Sequence, residues 1–204
     1  ASTGRWELTR PIKQKAMDDM INLAFDKYIL LCKETAAGLD WGKALEVLRI
    51  WEYSGLVRRG YFIKGLSGAQ FIRQGDFGLA TTFMDSNDKE IIWLNATDPL
   101  QIWGKALKHS LGRSFTNISG TAVCLSGGLP VAVFERNGST LRLFDFDNTE
   151  QILKTFAESY YTKRIFPDRK RITVKEYPEE AVDYFIHAGF VKQMTDYVIW
   201  AKAY

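Results

Sequence analysis

The tract from Leu56 to Arg73 limits the fold of this chain more than any other. Its apolar stretches, Leu56-Val57, Tyr61-Phe62-Ile63 and Phe71-Ile72, are cut by Gly60, Gly65 and Gly68. That punctuation predicts a hairpin or ribbon. Between Val57 and Gly75 there is no acid, but there are Arg58, Arg59, Lys64 and Arg73. Two amphipathic segments lie upstream. Met17, Met20, Ile21, Ala24, Phe25, Tyr28 and Leu31 share one face of a 3.6-residue period, which predicts a helix over 11–31 with Pro11 in its first turn. After a break at Gly38, Asp40 caps a second helix, Trp41 to Ser54, which Gly55 stops. Trp41, Ala44, Leu45, Leu48 and Trp51 form its inner face, and Lys43, Glu46, Arg49 and Tyr53 its outer one. Helices that lead into a basic hairpin have the outline of a winged helix.

Beyond Gly75 the pattern changes. Ile91 to Leu94 reads as a buried strand that runs to a turn at Asp98-Pro99. Three more strand-like runs follow: Thr121 to Ser126, Val131 to Glu135 and Thr140 to Phe146. Gly127-Gly128 joins the first pair and Asn137-Gly138 the second, and the latter is the stronger two-residue hairpin signal. Pro130 fits only a strand start or edge. Together they make an antiparallel meander. Asn148 with Gln151 predicts a capped helix with a stripe of Ile152, Leu153, Phe156, Ala157, Tyr160 and Tyr161. Arg171 to Tyr177 and Tyr197 to Trp200 read as strands, and a helix opened by Pro178-Glu179-Glu180 closes at Gly189. No internal repeat or low-complexity segment is visible. The expected fold class is α+β: a winged-helix domain, residues 1–75, then a β-barrel-like or curved antiparallel sheet with C-terminal helices, residues 76–204.

The 204 residues carry a net charge of only +3, so the distribution of charge matters more than its total. Residues 1–75 carry +4, residues 76–150 carry −3 and residues 151–204 carry +2. A second local +4 lies between Lys163 and Arg171. Such a run is commonly a solvated loop, yet Arg169, Lys170 and Arg171 are also candidates for phosphate contact. The 2 His and 2 Cys are far apart in sequence, which leaves no metal-ligand spacing and no disulfide framework. There is no phosphate-binding P-loop, no nucleophile elbow and no dinucleotide fingerprint. The chain is therefore expected to use no cofactor or metal of its own. No apolar run reaches membrane-spanning length and no signal-peptide core is present, so a soluble, cytoplasmic chain cut from something longer is expected.

Several other groups of residues are candidates for function. On the hairpin, Arg58, Arg59, Lys64 and Arg73 would reach phosphates, and Tyr61 or Phe62 would stack on a base. Alternatively, the aromatics are core and the cations a solvated wing. On the second helix, Lys43 and Arg49 face outward, but Glu46 between them repels phosphate. Asp98, before Pro99, is a lone carboxylate suited to general-base work, although an Asp there more commonly bonds its own turn. Asp76 and Asp196 are weaker versions of the same idea. An exposed Trp51 with Tyr53 would instead suit a protein partner.

Several blocks resemble a known family. Gly4-Arg5-Trp6, Val47-Leu48-Arg49 with Glu52, Gly55 and Val57, and Arg58-Arg59-Gly60-Tyr61-Phe62 with Gly65-Leu66 and Ala69-Gln70-Phe71 are similar to the C-terminal region of Lhr-type superfamily 2 DEAD/H-box DNA helicases. Ala96-Thr97-Asp98-Pro99 with Gly104, Glu135-Arg136-Asn137-Gly138 with Leu141 and Phe144, and Ala188-Gly189-Phe190 continue the likeness in the family's order. The chain departs from it at Leu100 to Gly104, at Lys108-His109-Ser110 and over its last residues. The resemblance implies a non-catalytic module that binds single-stranded or duplex DNA in DNA handling and repair. It implies helicase motor domains upstream in cis, which would hold ATP and Mg²⁺, and no membrane. The architecture also resembles DNA glycosylases built from winged helices and a β-barrel, which implies base excision as an alternative, with no catalytic residue transferable. A protein-assembly module of the helicase is the third reading.

Overall fold

The computed structural model describes residues 16–85 and 89–202, and the chain divides into two compact units, residues 1–82 and 83–204. In the first, α1 (Met17–Tyr28) buries Ile21 and Phe25. It stops three residues short of expectation at its C-terminal end, because Ile29 takes a φ of +56° and Leu30–Leu31 leave the helix as strand β1. Leu31 is thus a strand residue, paired with Phe71. The expected start at Pro11 lies outside the described residues. α2 (Trp41–Tyr53) begins where the Asp40 carboxylate accepts a hydrogen bond from the Lys43 N–H and caps the helix. It buries Ala44 and Leu48. The predicted hairpin is β2 (Val57–Gly60) and β3 (Gln70–Arg73), in a sheet of order β1-β3-β2. Trp41 meets Phe71 edge to face, so α2 packs on the sheet. A helix that the sequence reading missed, α3 (Phe77–Asp85), follows directly.

The second unit holds a four-stranded antiparallel sheet of order β4-β5-β6-β7: β4 (Ile91–Asn95), β5 (Ala122–Ser126), β6 (Leu129–Glu135) and β7 (Thr140–Leu143). Its two hairpins exchange the expected roles. Gly127 and Gly128, with φ of +54° and +80°, make the two-residue turn, because Ser126 pairs with Leu129. The Asn137-Gly138 link is longer. Glu135 pairs with Thr140, and a 3₁₀ turn, Arg136–Gly138, fills the gap. At Gly138 (φ +88°) a Cβ would come within 2.5 Å of the Ile172 side chain, so the turn is shaped by packing. Pro130 sits beside a register shift between Cys124 and Leu125, where a missing N–H is tolerated.

One face of this sheet is covered by α4 (Thr149–Tyr161), whose Ile152, Leu153, Phe156, Ala157 and Tyr160 are buried. Asn148 occupies the cap position but makes no side-chain cap bond; Thr149 bonds the Phe146 carbonyl instead. The other face is covered by the irregular segment 99–120, through Phe115 and Trp103. Buried Gln101 braces that segment by donating to Asn117 Oδ1 at 2.6 Å and to the Trp103 carbonyl at 3.1 Å.

The chain ends in β8 (Arg171–Val174), a 3₁₀ turn (Glu179–Ala181), α5 (Val182–His187), β9 (Val191–Gln193) and β10 (Asp196–Trp200), with sheet order β8-β10-β9. The connectivity α4-β8-α5-β9-β10 repeats α1-β1-α2-β2-β3, and β8-β10-β9 repeats β1-β3-β2. The fold therefore has a repeat where the sequence shows none. The α+β class and the winged helix hold, but the expected barrel does not close. Only a single bridge, Thr140 to Glu176, continues outward from β7, and no strand pairs with the outer edge of β4 among the described residues. The sheets stay open. No helix among the described residues is long and apolar enough to cross a membrane.

Candidate nucleic-acid interface

The hairpin register separates the four cations of the basic tract. Val57 and Arg59 point to the face that carries Phe71, and Arg58 to the face that carries Ile72. Arg59 pairs with Glu52 of α2 at 3.2 Å. Arg58 donates to Gln74 Oε1 at 2.6 Å, and its guanidinium lies 4.3 Å from the centre of the Phe77 ring. Arg73 pairs with Asp26 of α1 at 2.7 Å and donates to the Asn22 carbonyl. Three of the four basic side chains therefore tie the ribbon to its own helices. The tract lacks acids in sequence, but its neighbours in space supply them.

The link between β2 and β3, residues 61–69, is the wing. Its base is held by Gln70, a buried residue. The Gln70 amide accepts from the Ile63 N–H and donates to the Ile63 carbonyl, both at 2.8 Å, and so replaces a rung of backbone pairing. Its far side is held by Glu34, whose carboxylate accepts from the Ser67 N–H at 2.8 Å and from the Ser67 hydroxyl. Partial burial alone would raise this carboxyl. The hydrogen bonds from Ser67, with help from Cys32, outweigh it and hold the group at about 2. Phe62 packs with Leu66 and Phe77 against Leu30, Cys32 and Ile72, so it belongs to the core and is not available to stack. Tyr61 is 83% exposed, and neither its ring nor the exposed Lys64 ammonium has a partner among the described residues. On α2, Lys43 pairs with Asp40 at 3.4 Å, Arg49 is exposed without a partner among the described residues, and Tyr53 is 95% exposed. Trp51 is half-buried and packs against the core, so only Tyr53 of the suggested pair stands out.

In the second unit, Arg169, Lys170 and Arg171 are exposed, and none of their side chains has a partner among the described residues. Their backbone is pinned: the Tyr160 hydroxyl donates to the Arg169 carbonyl at 2.8 Å, Ala201 donates to the Lys170 carbonyl, and Arg171 pairs with Trp200. Asp98 behaves as a turn former, its carboxylate accepting from the Leu100 N–H at 2.8 Å. Asp196 accepts from the Thr195 hydroxyl at 3.2 Å. Both cysteines are buried, and burial pushes the Cys32 and Cys124 thiols up, away from nucleophilic chemistry. Among the described residues no cluster of His, Cys, Asp or Glu has the geometry of a metal site. The sequence reading missed Glu34 and Gln70, which shape the wing. Glu34 carries no sequence signal, since it lies 33 positions before the serine it holds, and although Gln70 stands in the Ala69-Gln70-Phe71 block, nothing there announces its bonds to Ile63.

Residues 11–88 match the winged-helix domain of the large helicase-related protein family. The chain is 33% identical over 130 residues to the Lhr helicase/probable uracil glycosylase of Mycolicibacterium smegmatis, covering 57% of this chain and 8% of that protein. It is 28% identical over 152 residues to the Lhr helicase/uracil glycosylase of Escherichia coli strain K12, covering 68% of this chain and 10% of that protein. The chain thus spans about a tenth of the length of these curated relatives. The resemblance to the C-terminal region of Lhr-type helicases holds over most of the chain, and it is firmest at the winged helix.

Proposed function

We propose, from this likeness to Lhr-type helicases, that the chain is a nucleic-acid-binding module of a DNA helicase that acts in DNA handling and repair. The wing carries the reading. Its base is fixed by Gln70 and Glu34, and Tyr61 and Lys64 stand free at its exposed side. Lys64 supplies charge for a phosphate and Tyr61 a ring for a base. Arg49 of α2 and the Arg169–Arg171 run add phosphate contacts. Arg58, Arg59 and Arg73, already paired, act mainly by holding the ribbon. Motor domains elsewhere in the longer protein are the partners in cis and hold ATP and Mg²⁺, and a cytoplasmic location goes with this role. The test is binding of labelled single-stranded and duplex DNA across a salt series. Affinity falls with salt, and Lys64→Ala reduces the log–log slope by about 1. Absence of binding at low salt overturns the proposal.

A second reading, base excision, is favoured by one observation: the names of both relatives include uracil glycosylase. Incubation with uracil-containing strands, followed by cleavage at abasic sites, separates it from pure binding; strands that stay intact count against it.

A further inference from the structure

We propose that the outer edge of β4 receives an extended segment of a partner protein, which adds to the sheet as a fifth strand. The Ala96 N–H donates to the Thr121 carbonyl, next to the pair Asn95 and Ala122. Bonding alternates along an antiparallel pair, so Leu94 and Ile92 also face β5 with their backbone groups. Ile91 and Trp93 therefore turn their N–H and C=O groups outward, as does the Asn95 N–H, and no strand takes them among the described residues; the Asn95 carbonyl is already taken by the Asp98 N–H. Exposed edges of this kind are templates for pairing.

The edge lies open along a groove of about 1300 Å³. One wall is β4, and the other is the flank of α4 that carries Asn148, Gln151, Thr155, Ser159 and Thr162. The volume exceeds the roughly 300–1,000 Å³ of small-molecule sites. The groove follows the length of α4, about 20 Å at 1.5 Å per residue, which fits a strand of five or six residues. The wall of short amides and hydroxyls leaves room for a backbone and offers it hydrogen bonds. Ile92, 41% exposed, adds an apolar contact for alternate side chains.

Charge and shape define the occupant. Three carboxylates, Glu90, Asp98 and Glu158, line the groove against two cations, Lys89 and Arg164, and the Asn95 side chain donates to the Arg164 carbonyl. The acidic excess disfavours a phosphodiester and favours a lysine or arginine side chain. No exposed aromatic ring lines the groove, so a nucleobase has nothing to stack on. A second copy of this chain fits less well than a lone strand, because its β4 would bring its own α4 into the space that α4 already walls. The occupant is thus a basic, extended peptide of another protein, read by backbone pairing with pockets for alternate residues.

The test uses the full chain, an acetylated and amidated hexapeptide of alternating valine and lysine, a valine–glutamate counterpart, and the lysine peptide with alternate amides N-methylated. The readout is perturbation of backbone amide resonances. Binding of the lysine peptide moves Ile91, Trp93 and Asn95, and N-methylation or glutamate weakens it at least tenfold. Thr155→Arg abolishes it by filling the groove; this side chain bonds only its own helix, so the fold is kept. Ile91→Pro removes an outward donor without removing a β5 rung and weakens binding as well. Three results overturn the proposal: equal binding of the N-methylated peptide, β4 shifts that depend on protein concentration alone, or β4 shifts produced by DNA and not by the peptide.

Discussion

The two halves that share the connectivity helix, strand, helix, strand, strand differ in almost everything that faces solvent. In the first, the second helix is α2, with 13 residues; in the second it is α5, with 6. In the first, the last two strands are joined by the wing, residues 61–69. In the second, Gln193 pairs with Asp196, so only Met194 and Thr195 remain between them. Acids Glu179, Glu180 and Asp183 crowd the start of α5, where the first turn of α2 has no acid and carries Lys43. The first helix differs too: α4 spends its apolar face on the four-stranded sheet as well as on β8–β10. One scaffold thus serves two purposes, a projecting wing in one copy and a packing block in the other. The halves share connectivity but not loop length or local charge.

The largest effect that separates the halves is on stability. Phe156→Ala removes a ring that touches Trp93, Phe134, Phe166 and Phe190, and is expected to cost about 3–5 kcal/mol. Chemical denaturation should show the second unit losing its transition while the first keeps its own. Next, Tyr61→Ala combined with Lys64→Ala should weaken DNA binding about tenfold in a salt-controlled titration, and Met194→Ala with Thr195→Ala should leave it unchanged. Equal losses from both pairs would mean that the two halves do not differ as ligand surfaces. Gly138→Ala comes third, at about 1–3 kcal/mol from its left-handed backbone and the Ile172 contact, read as a shift in the second unit's midpoint.

Glu34 gives a smaller effect and a pH signature. Its folded value, about 2, lies below its ordinary 4.5, so its stabilisation is complete above about 4.5 and disappears as pH falls through about 2. Part of the group meets solvent, so Glu34→Gln should cost only about 1–2 kcal/mol near neutrality. Protection of the Ser67 amide, measured against its intrinsic exchange rate at the same pH, should fall in that variant, and in the native chain on acidification. A wing that keeps its protection at pH 2 would show that Glu34 does not hold it.

Elements with a periodic apolar face were legible in the sequence, and so were those with a chemical stop. α2 announced both ends, at Asp40 and Gly55, and α4 its whole buried stripe. Leu31 was misplaced because it continues the helical spacing, and only its pairing with Phe71 makes it a strand residue. α3 was missed because Gly78, Thr81 and Thr82 are weak helix formers, although Asp76 stands at its cap position. The two glycine-containing hairpins were ranked by local turn preference, and the packing of Gly138 on Ile172 reversed the ranking. At the candidate site the basic tract was visible, but its partners Glu52 and Asp26 lie on other elements. Counting acids along the chain could not reveal that its arginines were already engaged.

The Gln70 clamp also bears on how the wing meets a ligand. A free loop must surrender about 1–2 kcal/mol of backbone entropy per residue on docking. The bonds at Ile63 and Ser67 impose that order when the chain folds. Encounter with a ligand therefore requires little rearrangement, and association should run close to the rate at which the correctly turned surfaces collide.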